Sequence, residues 1–120
     1  PGTLLVVEDN ADNMLTVTSA LAQENCRIVT AKDGVQAVEM ANKARPGLIL
    51  MDMQLPRMSG MEAIEQIKTN PELAEIPIIA LTANAMKGDR EKALAAGCED
   101  YLSKPFNPTK LQELVRKWLG

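Results

Sequence analysis

Apolar residues in this chain follow two alternating patterns, short unbroken runs and longer stretches spaced three or four apart. The unbroken type comprises Thr3-Leu4-Leu5-Val6-Val7, Arg27-Ile28-Val29-Thr30, Leu48-Ile49-Leu50-Met51, Ile76-Pro77-Ile78-Ile79-Ala80-Leu81 and Asp100-Tyr101-Leu102-Ser103. Such runs, bounded by turn signals, predict strands; Thr3–Val7 and Leu48–Met51 are of the type covered on both faces, while Arg27–Thr30 and Asp100–Ser103 are shorter strands. Pro77 falls near the start of its run, where a missing N–H is tolerated. Helical spacing links Met14, Val17, Thr18 and Leu21, then Val35, Val38 and Ala41, then Met61, Ile64 and Ile67. It returns in Leu111, Leu114, Val115, Trp118 and Leu119. A further helix over 87–96 has little inward bulk beyond Leu94 and several alanines, so it is expected to be the most weakly anchored. Start signals agree with this reading: Asp33 as an N-cap, Ser59 with Glu62 at capping-box spacing, and Asn107 ahead of Pro108.

Strand and helix alternate without a break. That predicts an α/β fold, a (βα)5 doubly wound five-stranded parallel sheet with helices on both faces. Right-handed crossovers restrict the topology to a few choices, and the flavodoxin-like order 2-1-3-4-5 is the natural candidate. Ligands in such sheets bind beyond the carboxyl ends of the strands, where strand order reverses. Here that point lies between strands 1 and 3.

Composition narrows the class. With 120 residues, 46% hydrophobic and 24% charged, the chain reads as one globular domain over 1–120 with a real core. A net charge of −3 without a basic block gives no footprint for nucleic acid. No apolar run reaches the length of a membrane span, and no signal peptide is visible. The Pro1-Gly2 start without an initiator Met suggests a segment excised from something longer. Cys26 and Cys98 do not form a metal pattern, and the strand order puts them near opposite sheet edges, too far apart to bridge. Free thiols fit a cytoplasmic protein.

The chemistry gathers at the strand ends. Strand 1 delivers Glu8 and Asp9, strand 3 Asp52, strand 4 Thr82 and strand 5 Lys104. Three carboxylates crowded together repel one another, and a hard divalent cation relieves that; few-carboxylate sites with open positions suit Mg²⁺. A metal, an ammonium and a hydroxyl around one point form a phosphoryl-type arrangement. Asp52 would be its nucleophile, since an aspartate can form an acyl phosphate. Taken singly, each residue has a plainer reading. Glu8-Asp9 could be a polar loop with Asn10 or Asp12 capping a helix, Asp52 a helix- or turn-capping residue, Lys104 a surface lysine, Thr82 a turn cap and Tyr101 ordinary packing.

Glu8-Asp9-Asn10, Met51-Asp52-Met53 with Pro56 and Gly60, Leu81-Thr82-Ala83 and Lys104-Pro105-Phe106 resemble the receiver domain of two-component response regulators (CheY-like), in order and along essentially the whole chain. The resemblance implies roles position by position. Asp52 matches the phosphoacceptor. Asp9 matches the direct ligand of Mg²⁺ (or Mn²⁺), Glu8 acts beside it through water, and Gln54 falls where a backbone carbonyl joins the metal. Thr82 and Lys104 match the hydroxyl and ammonium that engage the phosphoryl group. Tyr101 matches the aromatic switch coupled to Thr82, and the bond before Pro105 is expected to be cis. Glu8 departs from the paired aspartates of some members, and its longer side chain still reaches a metal.

The implied function is that of a signalling phosphoacceptor, not a classical enzyme. It would catalyse transfer to its own Asp52 and later loss of the group to water. The chain has no histidine, so the phosphohistidine must come from another protein or domain, a histidine kinase or histidine phosphotransfer protein. The start of the chain, with Asn13 and Met14 behind the acids, is similar to receivers of hybrid sensor kinases and of stand-alone relay proteins; a domain of a hybrid kinase or phosphorelay component is favoured. No DNA-binding segment follows Gly120, so the chain is expected to act by protein contact or to have lost a downstream effector domain by truncation.

Three rivals remain at this level. A flavin or nucleotide binder of the same architecture needs a phosphate-cradling loop after strand 1, and Glu8-Asp9-Asn10-Ala11-Asp12 repels phosphate unless a metal is bound. A phosphatase with an aspartyl nucleophile would carry a second acid two residues on, where this chain has Gln54. An inactive receiver-like scaffold would usually have lost one of the five site residues.

Overall fold

The computed structural model describes residues 2–53, 55, 58–82, 88–103 and 107–119. Among these, five strands alternate with five helices: β1 (Gly2–Val7), α1 (Ala11–Ala20), β2 (Cys26–Ala31), α2 (Gly34–Ala44), β3 (Leu48–Asp52), α3 (Gly60–Thr69), β4 (Ile78–Thr82), α4 (Asp89–Ala96), β5 (Asp100–Ser103) and α5 (Pro108–Leu119). All strand pairs are parallel and the order is β2-β1-β3-β4-β5, the predicted flavodoxin-like topology.

The central strands are buried on both faces, which is why they read as unbroken apolar runs: every residue of β3 and of β4 is buried. Two cores result. On one face, Leu5, Val7, Ile49, Met51, Ile78 and Ala80 pack against α2, α3 and α4. On the other, Leu4, Val6, Leu48, Leu50, Ile79 and Leu81 meet Val17 and Leu21 near α1 and Leu111, Leu114 and Val115 of α5. The one-residue alternation between these lists is the period-2 pleat.

Caps set the helix entries. Asn10 accepts from the Asn13 amide at 3.0 Å, Asp33 from Gln36 at 2.8 Å, and Ser59 from Glu62 at 3.2 Å. Asn107 accepts from Thr109 at 2.9 Å, ahead of Pro108. On α2 the expected face is held in part: Ala41 is buried and Val38 packs half-buried against the core, but Gly34 and Ala37 are buried where Val35 is only half-buried. Small residues let this helix approach the sheet and its neighbour closely. Among the described residues of α4, Ala93 is buried and Ala96 packs half-buried beside it, while Leu94 turns outward with 41% exposure, so the anchoring bulk is less than the sequence suggests. Pro77 lies just ahead of β4 and its carbonyl accepts from Ile49, extending the ladder without needing its own N–H. Cys26, the first residue of β2, and Cys98, two residues ahead of β5, are free and lie by opposite edge strands.

Candidate functional site

Strand register brings the acids together. Val7 pairs with Met51 across β1 and β3, so the residues that follow them, Glu8 and Asp52, stand side by side at the carboxyl end of the sheet. The Glu8 amide donates to Ala31 on β2, and the Met53 amide to Leu81 on β4, each at 3.0 Å. These bonds hold both strand ends in the sheet up to the acids. One carboxylate oxygen from each of Glu8, Asp9 and Asp52 lies within 4.8 Å of the other two. Glu8 and Asp52 are buried and Asp9 is exposed, so the cluster opens to solvent on one side.

Glu8 Oε2 also accepts from the Asn10 amide at 3.1 Å, while Asn10 caps α1. The capping role and the acidic cluster thus coexist in one turn. Three convergent hard oxygens, two of them from buried carboxylates, form a donor set that suits Mg²⁺ or Mn²⁺.

Thr82 ends β4 one residue beyond Leu81, the register partner of Asp52, and is buried at the same sheet edge. Tyr101 sits on β5 opposite Ala80, half-buried and packed at the margin of the core under α2, α3 and α4. Gln54, Lys104 and Pro105 lie outside the described residues. Of the expected site, Glu8, Asp9, Asp52 and Thr82 are therefore gathered at the ends of neighbouring strands, with Tyr101 one strand further out.

Beside the acids runs a mainly apolar groove of about 350 Å³, lined by Met14, Leu15 and Thr18 of α1, by Thr30 of β2 and by Lys32 just after it. Leu15 is 65% exposed there. Nothing in the α1 periodicity singles out this residue, because it falls on the solvent side of the helix; only its large apolar side chain at a polar position hints at it.

Residues 4–116 match the family model described as the response regulator receiver domain. The chain is 40% identical to the polar-differentiation response regulator DivK of Brucella anthropi, over all of this chain and 98% of that protein. It is also similar to the receiver domain of the sensor histidine kinase PA1611 from Pseudomonas aeruginosa PAO1, solved with a magnesium ion coordinated in its active site cleft. That match has 42% identity and a TM-score of 0.91, covering 98% of this chain and 96% of the other. A third match is the complex of the Saccharomyces cerevisiae histidine phosphotransfer protein Ypd1 with the receiver domain of its downstream response regulator Ssk1. Here identity is 36% and the TM-score 0.87, over 97% of this chain and 87% of the other.

Proposed function

Because the chain belongs to the response regulator receiver domain family, we propose that Asp52 is the residue through which it acts as a phosphoacceptor in two-component signalling. The observation that carries this reading is the convergence of Glu8, Asp9 and Asp52, with carboxylate oxygens within 4.8 Å of one another. Glu8, Asp9, Asp52 and the main-chain carbonyl of Gln54 would hold Mg²⁺ or Mn²⁺, which when bound balances the acids and draws the phosphoryl oxygens.

Asp52 supplies the nucleophile. One of its carboxylate oxygens bonds to phosphorus as the P–N bond to the donor imidazole breaks, and the freed imidazole takes up a proton. Thr82, buried at the neighbouring strand end, donates its hydroxyl to a phosphoryl oxygen. Lys104 supplies the fixed positive charge. Water later splits the acyl phosphate, returning the Asp52 carboxylate and inorganic phosphate. Between these events the added charge draws Thr82 inward and Tyr101 follows, shifting the face formed by α4, β5 and α5. Ala93 is the only residue of α4 buried in the core among those described, so this helix is the cheapest to move.

The donor is a histidine kinase or histidine phosphotransfer protein, since the chain contains no histidine. The groove beside Asp9, with Leu15 exposed, offers an apolar seat for a helix bearing the phosphohistidine. The Ypd1–Ssk1 complex supports a partner of that kind. The reading covers 1–120 as one receiver domain acting in the cytoplasm, from a hybrid kinase or a stand-alone regulator of the DivK type. Among the described residues, no helix is long and apolar enough to cross a membrane. Incubation with a phosphorylated histidine phosphotransfer protein tests the assignment: label should pass to the wild-type chain in Mg²⁺ and not to Asp52→Asn.

A further inference from the structure

Two close backbone approaches flank the segment that leaves Asp52. Gly60, the first residue of α3, lies against Asp52 and Met53: a Cβ there would overlap the Asp52 carbonyl oxygen and come 2.7 Å from Met53 Cα. Gly34, the first residue of α2, lies against Met58: a Cβ there would overlap the Met58 carbonyl oxygen and approach Met58 Cβ at 2.6 Å. Neither glycine has a positive φ, so the contacts, not the backbone conformation, exclude a side chain.

Gly34 is itself held firmly. Asp33 caps Gln36 at 2.8 Å, the Gln36 side chain accepts from the Lys32 amide at 3.0 Å, and Ala37 donates to the Asp33 carbonyl at 2.9 Å. Two residues before Asp33, Ala31 accepts from the amide of Glu8. A second path, separate from the β1–β3 ladder, therefore joins the two acid-bearing strand ends. It runs from Glu8 through Ala31 to Gly34, across to Met58, and through Gly60 to Asp52. We propose that the contact of Gly34 with Met58 is a positioning device for the carboxylate site, bracing the strand end that bears Asp52 against the one that bears Glu8. The inference rests on the metal-site reading above. Gly34 touches none of the reacting atoms and acts only through the loop it supports.

The test is Mg²⁺ titration by calorimetry, with backbone amide shifts recorded before the metal is added, on wild type, Gly34→Ala and Gly97→Ala. Gly97 has φ +113 and lies ahead of β5, at the opposite sheet edge, so alanine there strains the chain away from the acids. Gly34→Ala should move the Asp52 and Met53 amides and weaken Mg²⁺ on the order of tenfold, as loss of a support behind metal ligands does. Gly97→Ala should lower the melting temperature with wild-type affinity. If Gly34→Ala fails to fold, Met58→Gly removes the opposing Cβ and should weaken Mg²⁺ in the same way. A folded Gly34→Ala or Met58→Gly with wild-type affinity and unmoved amides overturns the proposal, as does equal weakening by Gly97→Ala. A wild-type chain that binds no Mg²⁺ overturns the metal-site reading instead, and the amide shifts then decide the brace on their own.

Discussion

Lys68 and Glu99 meet at 2.7 Å at the sheet edge opposite the acids, one from the last turn of α3 and the other just ahead of β5. The same ammonium donates to the carbonyls of Ala74 at 3.1 Å and Ile76 at 2.9 Å, while the second Glu99 oxygen accepts from the Ile78 amide. One lysine thus ties α3, the α3–β4 connection and the entries to β4 and β5 together. Lys68→Met keeps most of the stem and removes all three donations. Its expected cost is about 2 kcal/mol, the scale of lost charged hydrogen bonds, read from urea unfolding as a lower midpoint with unchanged slope. Phosphoryl acceptance should survive, because the pair is remote from Asp52. An unmoved midpoint contradicts this role.

Cys98 gives a pH dependence. Burial, reinforced by Glu99 and partly offset by Lys68, pushes its thiol from an ordinary 9.0 up to about 12. In the unfolded chain the thiol ionises near 9.0 while the folded chain keeps its proton, so the unfolded state binds fewer protons and stability falls as pH rises from 9.0 toward 12. The contribution is intact below that window. Within it, wild type should lose stability relative to Cys98→Ala by up to roughly 1.4 kcal/mol per pH unit. Denaturant titrations of both proteins at pH 8 and above check this, and parallel curves contradict it. Under native conditions an alkylating reagent should modify half-buried Cys26 well before Cys98.

Thr82 carries the proposed coupling between Asp52 and Tyr101. In Thr82→Ala the phosphoryl group should still arrive at Asp52, since nucleophile and acids are untouched. The amide shifts that phosphorylation induces in β5 and α5 should shrink to a small fraction of the wild-type change. A full conformational response in the variant contradicts the coupling.

The fold was legible because a parallel sheet leaves so few options. Strands buried on both faces must be apolar throughout, as β3 and β4 are, and each strand ends visibly where Glu8, Asp52 or Thr82 interrupts the run. The acidic cluster followed from adjacency of β1 and β3. Less legible were features that depend on the third dimension at the scale of single contacts. The α2 face is shifted from Val35 because the smaller Gly34 and Ala37 can approach the sheet more closely. Lys68 and Glu99, 31 positions apart, carry no periodic signal because both are polar and their partners are mainly main-chain atoms. Leu15 and Leu94 have the side chains of core residues, and only the rotation of their helices turns them to solvent.

The central claim is that Asp52 accepts a phosphoryl group at an acid-bound divalent cation. Incubation of the chain with a small acyl phosphate and Mg²⁺, followed by intact-mass measurement, tests it most directly. The account predicts an added mass of one phosphoryl group on wild type, lost when EDTA replaces Mg²⁺ and absent from Asp52→Asn. No adduct on wild type, or an adduct that persists in Asp52→Asn, contradicts it.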